Sequence, residues 1–200
     1  MTIRRGADWG RPGDVPSGVV VADDDAAAAA AAWAGAVVFL RGGDMLRTLG
    51  GPSHPRDSGR GTEVAIDLME VRVDGQVVPA LSHVMVRGRR IGGGSLRGPV
   101  DVFMNAQFIG GRDLAPRGHP NDGRVEHLGV DPAMGVRQRL LAWRRARNGS
   151  HLPHPGISST SIVRSAVECR GRIVVADGEV IGPAATVEVV VAADRAHIWF

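Results

Sequence analysis

Residues 105–123 read NAQFIGGRDLAPRGHPNDG. The stretch joins two apolar runs, Pro99 to Phe108 and Gly123 to Val130, each with the length and composition of a strand. Pro120-Asn121-Asp122-Gly123 has the chemistry of a β-turn, with an Asp to serve nearby backbone N–H groups and a Gly to take positive φ. A strand, a glycine-punctuated connection and a returning strand make an antiparallel unit, and the flanking sequence extends it. Val64, Ile66 and Leu68 alternate and Val71 and Val73 resume on the other phase, which predicts a strand with a bulge or bend. Asp74-Gly75 is a hairpin signal, with Gln76 to Val86 returning. Ile157 to Glu168, Ile173 to Ala176, Thr186 to Val191 and His197 to Phe200 are further strands by the same criteria. The spacing predicts an antiparallel β-sandwich or barrel over residues 56–200. One helix interrupts it, over Ala133 to Arg147, with Asp131 as cap, Pro132 at the first position and Met134, Leu140, Leu141 and Trp143 as its apolar residues.

The N-terminal part has a different pattern. Residues 1–16, rich in Gly, Pro and charge, are expected to form a flexible arm. Residues 17–55 read as a small α/β piece. Val19 to Val21 is a strand, and Asp23, Asp24 and Asp25 offer an N-cap to an Ala-rich helix ending near Trp33. Val37 to Leu40 is a second, parallel strand. Arg41-Gly42-Gly43-Asp44 is then a tight loop opening a helical turn, where Gly42 and Gly43 expose backbone N–H groups able to hold an anion. A plain strand-to-helix turn has the same letters.

Composition narrows the function classes. All 24 basic residues are arginine, the net charge is only +3, and the bias is that of a GC-rich coding sequence. Near-balanced charge and the lack of basic–aromatic interleaving argue against nucleic acid. Cys169 is the only cysteine, so no intrachain disulfide forms and a reducing compartment fits. Residues 7–17 lack the apolar core of an export signal, and the apolar run from Ala26 to Leu40 is fifteen residues, short of the roughly 20 that span a bilayer. A cytoplasmic protein is the expectation. Arg137, Arg139, Arg144, Arg145 and Arg147 make the helix basic, either as a solvated face or toward an anionic membrane surface.

Residues 37–200 resemble the C-terminal half of diacylglycerol-kinase-type lipid kinases, the bacterial branch that is also similar to sphingosine kinases. VVFLRGGDMLRTLGG at 37–51 is similar to the family's strand, GTGND-type loop and NDxAR helix, which places Asp44 at the loop aspartate and Arg47 at the arginine one turn on. Asn105, Gln107-Phe108, Gly110 and Gly111 match the NGxYxGGG stretch, and Pro120 with Asp122-Gly123 matches the PxDG turn. Asp177-Gly178-Glu179 matches the triplet that carries the family's general base, which takes the proton of the lipid hydroxyl as it attacks the γ-phosphate. His151-Leu-Pro-His154-Pro resembles a family segment with a positioning role; a zinc reading lacks a third ligand at a usual spacing.

The resemblance implies Glu179, Asp177 and Asp44 as catalytic residues, and Gly42, Gly43, Arg47, Asn105, Gly110 and Gly111 around the ligand or phosphate. It implies a structural magnesium at Asn121 and Asp122, where an ordinary β-turn is the alternative. Asp177 and Glu179, two apart on a strand, are expected to share a face and raise each other's pKa; the competing reading is a hairpin turn. The sequence departs from the family in lacking the loop's Thr and Asn and any GGDGT-type ATP loop before Val37. The expectation is therefore a non-catalytic lipid- or ligand-binding module, or a subunit completed by a partner chain or a second copy. The alternative is an active enzyme, either a lipid kinase using ATP through a partner or an ATP-independent acid–base enzyme with Glu179 as base. Asp44, Asn105, Asp177 and Glu179 are expected to face one cleft.

Overall fold

The computed structural model describes residues 9–51, 59–89, 91 and 93–200. Val20–Ala22 (β2), Asp25–Trp33 (α1) and Val38–Leu40 (β3) form a β-α-β unit with parallel strands. The Ala run makes α1 for the expected reason, and of the three aspartates it is Asp24 that caps it, accepting from the Ala27 N–H at 2.8 Å. Gly43–Thr48 (α2) follows.

The remainder is mainly antiparallel β. Arg60–Val73 (β4) and Gln76–Ala80 (β5) form a hairpin on Asp74-Gly75, with φ of 48° and 88°, the two positive values that a two-residue turn of the right twist requires. His83–Arg87 (β6) and Val100–Met104 (β7) come next, then the short hairpin Phe108–Ile109 (β8) and Arg112–Asp113 (β9), then Val125–Val130 (β10). Val136–Arg145 (α3) leads to Ile157–Ile162 (β11), Arg164–Ala176 (β12) and Glu179–Trp199 (β13).

Among the described residues, eleven strands belong to one hydrogen-bonded network whose main path runs from Arg11–Asp14 (β1) through β4-β13-β12-β6-β7-β10-β11; β5 adds to β4, and β3 joins β13 in parallel. The network folds back on itself. Met69, Val71, Val187 and Val189 from β4 and β13 share one buried cluster with Val84, Val86, Phe103 and Val125 from β6, β7 and β10. The opposite face of β6, β7 and β10 carries Met85, Val100, Val102 and Leu128 to a second cluster. Ala28, Leu40 and Met45 of the α/β piece pack with Ile66, Leu68 and Ile198 of β4 and β13, so this piece and the β part have a core and a strand pairing in common.

Three expectations need correction. The supposed arm supplies Arg11–Asp14 (β1), paired with the edge of β4; residues 1–8 lie outside the described residues. The segments read as strands from 157 onward divide differently: Ile157 to Glu168 covers β11 and the start of β12, and the later segments are pieces of the two long strands β12 and β13. β12 continues past a register shift where Arg170 and Gly171 have φ of 51° and 78°, and β13 past one between Ala192 and Ala196, where Asp194 has φ of 54°; bulges interrupt the alternation without ending the strand. The third concerns α3, which starts only at Val136, because Asp131 spends its carboxylate on the Ala133 N–H of a preceding turn. Its buried residues are Arg139 and Ala142, while Leu140, Leu141 and Trp143 are exposed.

The turn at residues 120–123 forms as the chemistry demands, with Gly123 at φ 72° and its N–H donating to Asp67 at 2.7 Å. Gly123→Val is expected to lower stability by about 1–3 kcal/mol, because a β-branched residue resists this backbone. Urea unfolding measures it, and an unchanged midpoint contradicts the turn's role.

Candidate functional site

The tripeptide Leu81-Ser82-His83, which leads from β5 into the first residue of β6, is the centre of the site. Asp177 reaches it from the β12–β13 turn: its carboxylate accepts from the N–H of Leu81 at 2.6 Å, Ser82 at 2.8 Å and His83 at 2.9 Å, and its own N–H donates to the His83 carbonyl at 2.9 Å. Asn105 holds the other side. Its Nδ2 donates to the Leu81 carbonyl at 2.8 Å, and the N–H groups of Asn105 and Ala106 donate to the Ser82 carbonyl at 2.9 and 3.0 Å. All six backbone polar groups of the tripeptide are satisfied by Asp177, Asn105 and Ala106.

Asp177 and Glu179 do not behave as a same-face pair. Asp177 is a turn residue with φ of 47°, its carboxylate bent inward, while Glu179 opens β13 at an exposed position. Burial pushes the Asp177 carboxyl up to about 7, against the lowering effect of the backbone donors, and the charge of Asp25 adds to the rise. The partner that matters is therefore Asp25, a residue that sequence reasoning used only as a possible helix cap.

Asp25 is 5% exposed and caps α2 from a distance, accepting from the N–H of Asp44 at 2.7 Å and of Met45 at 3.2 Å. The helix start that Gly42 and Gly43 were expected to offer to a phosphate is thus taken by the protein's own carboxylate. The glycines answer to close approach instead: a Cβ at Gly43 would lie 2.2 Å from an Asp25 oxygen, and one at Gly42 the same distance from the Asp23 carbonyl. Burial raises Asp25 to about 6, opposed by the nearby Ser82 hydroxyl and the two N–H groups. That hydroxyl and the His83 Nδ1 are buried and have no hydrogen-bond partner of good geometry. Burial lowers the His83 pKa, and the charge of Asp44 opposes it.

Helix α2 docks on the β8–β9 hairpin. Asp44 accepts from the Gly110 N–H at 2.9 Å, the Arg47 guanidinium lies 5.8 Å from the centre of the Phe108 ring, and Thr48 Oγ accepts from the Gln107 N–H at 3.0 Å. A side chain at Gly111 would meet the Arg47 guanidinium at 3.6 Å. Asp44, Arg47, Gly110 and Gly111 thus lie together, and His83, Asn105 and Asp177 connect to them through the tripeptide. Among the described residues Glu179, exposed at the start of β13, forms no hydrogen bond or ion pair with any of them.

Asn121 and Asp122 lie in a separate network, organised by Asp67, whose carboxylate accepts from Gly123 N–H and Asp194 N–H. Asn121 Nδ2 donates to Asp194 at 2.8 Å and Asp122 accepts from Arg124 N–H at 2.9 Å. Among the described residues no three His, Cys, Asp or Glu side chains gather as a metal cage. Asn121 Nδ2 and Asp122 Oδ1 are engaged within the protein, so the ordinary β-turn reading accounts for both residues. Asp67, buried and 127 residues from its Asp194 partner, gave no local signal in the sequence.

Beyond the hairpin lies a cavity of about 330 Å³ between α3 and the outer face of β6, β7 and β10. Val100, Val102, Leu114, Leu128 and Ile157 form its wall, and Leu96, Leu140 and Trp143 its exposed rim. His151 lines it with both ring nitrogens buried and without a hydrogen bond of good geometry; burial lowers its pKa, opposed by the charge of Asp113 and the nearby Leu114 backbone. Arg139 holds the structure over it: Nε donates to the Met134 carbonyl, and the terminal nitrogens to those of Ser95, Gly98 and Asp131, at 2.6–2.9 Å. It does not belong to the basic face expected for the helix.

Asp25 and Asp177 bind a proton more tightly folded than unfolded. Their stabilising effect is complete below about pH 4 and is lost as pH rises through their folded values of about 6 and 7. Asp25→Asn carries no such proton, so its stability relative to the wild type is expected to improve from about pH 4 to about pH 7 and to level off above that. Paired unfolding curves test this, and a flat or opposite trend contradicts it.

No protein-family model and no curated protein matches the sequence. Solved structures do match the fold. One is a protein from Bacillus anthracis str. Sterne assigned as a diacylglycerol kinase, with TM-score 0.60 and 12% identity over 82% of this chain and 70% of that one. Two other structures of Bacillus anthracis proteins so assigned give TM-scores of 0.59 and 0.55 at 13% identity, over 82% of this chain and 69% and 67% of theirs. The chain has a diacylglycerol-kinase-like fold.

Proposed function

We propose that this chain is a lipid-binding protein of diacylglycerol-kinase-like fold, which holds the apolar part of an amphiphile in the cavity between α3 and the sheet. The cavity carries the reading: its wall is almost wholly aliphatic, it opens at the surface beside Leu140 and Trp143, and its volume suits part of an acyl chain. Among the described residues of the wall, His151 has ring nitrogens that lack a hydrogen bond of good geometry, so an oxygen on the bound molecule at that depth gains a hydrogen bond and relieves a buried polar group. The neighbours' assignment as diacylglycerol kinases points to the same class of ligand.

The Asp25–Ser82–Asp177 cluster serves this function by holding the tripeptide and α2 in place. Three N–H donors occupy the Asp177 carboxylate, which leaves it a clamp before it is a base. A second reading, an active enzyme, draws on the same cluster: two carboxyls that titrate near neutrality lie with an unpartnered hydroxyl and an unpartnered imidazole nitrogen. ATP-Mg turnover by the purified chain, alone or with a partner, favours that reading.

Titration with a fluorescent diacylglycerol analogue tests the proposal. Saturable binding at one site is expected, weakened at least about ten-fold by Val102→Trp or Leu128→Phe, which fill the cavity. Unchanged affinity in a folded variant contradicts it.

A further inference from the structure

The rim of the cavity continues into a surface that the ligand reading does not account for. The β6–β7 loop presents Ile91 fully exposed, and Leu96 is 42% exposed. Arg87, Arg89, Arg97, Ile91 and Val180 line one shallow groove. Between Arg87 and Gly98 the sequence has four arginines and no acid. On the other side of the loop, α3 exposes Leu140 and Trp143 between Arg137 and Arg144. Among the described residues none of Arg87, Arg89, Arg97, Arg137 and Arg144 enters an ion pair; Arg87 only donates to the neighbouring Gly88 carbonyl.

Arg139 makes the loop and the helix one surface. Buried between them, it donates to Ser95 and Gly98 of the loop and to Asp131 and Met134 at the foot of the helix. Leu96 of the loop and Leu140 and Trp143 of the helix thus meet at the same mouth.

We infer that this surface, the β6–β7 loop together with the exposed side of α3, docks on an anionic lipid bilayer, with Ile91, Leu96, Leu140 and Trp143 entering the interface and the surrounding arginines meeting lipid phosphates. The argument is charge complementarity joined to apolar exposure. Unpaired guanidiniums around protruding aliphatic and indole groups match a surface that is anionic outside and apolar beneath. An acidic protein partner would meet the arginines but leaves without a role a fully exposed isoleucine on the loop that carries Leu96 to the cavity mouth. The lipid source rests on the cavity reading above; the docking surface itself is tested separately.

The test is sedimentation of the full chain with phosphatidylcholine vesicles with and without phosphatidylserine. Binding to the anionic vesicles alone is expected. Each of Arg89→Ser and Arg97→Ser should reduce it about five-fold, added salt should weaken it, and Ile91→Asp should reduce it about ten-fold or more. Brominated acyl chains should quench a fluorescence component that is missing in Trp143→Phe. Val102→Trp should retain vesicle binding while losing the diacylglycerol analogue, so a failed cavity and a failed surface give different results. Equal binding to neutral vesicles, no binding, or indifference to all three surface substitutions overturns the inference. Self-association abolished by those same substitutions also overturns it and assigns the surface to a second copy of the chain.

Discussion

Leu81 and Ser82 lie between β5 and β6 and His83 only opens β6, yet the tripeptide is buried, and most of its polar groups need partners that regular sheet pairing does not provide. Two side chains distant in sequence solve the problem. Asp177 takes the three N–H groups, and Asn105, with the backbone of Ala106, takes two of the three carbonyls. Because Asn105 Nδ2 also donates to the Asp67 carbonyl at 2.7 Å, the tripeptide is tied to the second network, in which Asp67 fixes the bulge of β13 and the turn before β10. Leaving even one of these buried groups unpaired costs about 1–3 kcal/mol, so both networks depend on this junction.

From this junction the site is built outward. Ser82 and His83 are presented to Asp25 and Asp44, Asp25 caps α2, and α2 carries Asp44 and Arg47 onto the β8–β9 hairpin. The hairpin ends at Leu114, whose N–H donates to the Gln107 carbonyl and whose side chain forms part of the cavity wall. One short hairpin thus has the acidic cluster on one side and the apolar cavity on the other. The cavity exists because β6, β7 and β10 are covered on both faces, by the folded-back sheet on one and by α3 on the other. Among the described residues no helix is long and apolar enough to cross a membrane; the proposed contact with lipid is peripheral.

Features with a local physical cause were legible in the sequence. Asp74-Gly75 and Asp177-Gly178 announced turns because their conformations favour those residues, and the Ala run announced α1. Likewise the strand pair around the Ala run was read as parallel from its connection alone. What failed was long-range or concealed by irregularity. The bulges at Arg170-Gly171 and near Asp194 made two long strands look like several. Leu140, Leu141 and Trp143 looked like core, but Arg139 takes the inward position because four carbonyls converge on it, a convergence no periodicity encodes. Asp177 was singled out on the DGE triplet, yet assigned with Glu179 to one strand face; a turn at positive φ separates their directions. Asp25, Asp67, Ser82 and His83 act through partners far along the chain, and none stands in a pattern that marks it.

The central claim is that the Asp177 carboxylate, rather than Glu179, organises the site by binding the Leu81, Ser82 and His83 N–H groups. Amide hydrogen exchange resolved at these three residues tests it most directly, in the wild type, Asp177→Asn and Glu179→Gln. The account predicts strong protection in the wild type and in Glu179→Gln, and a loss of about ten-fold or more in Asp177→Asn, where a single acceptor oxygen faces three donors. Protection unchanged in Asp177→Asn, or lost in Glu179→Gln, would contradict it.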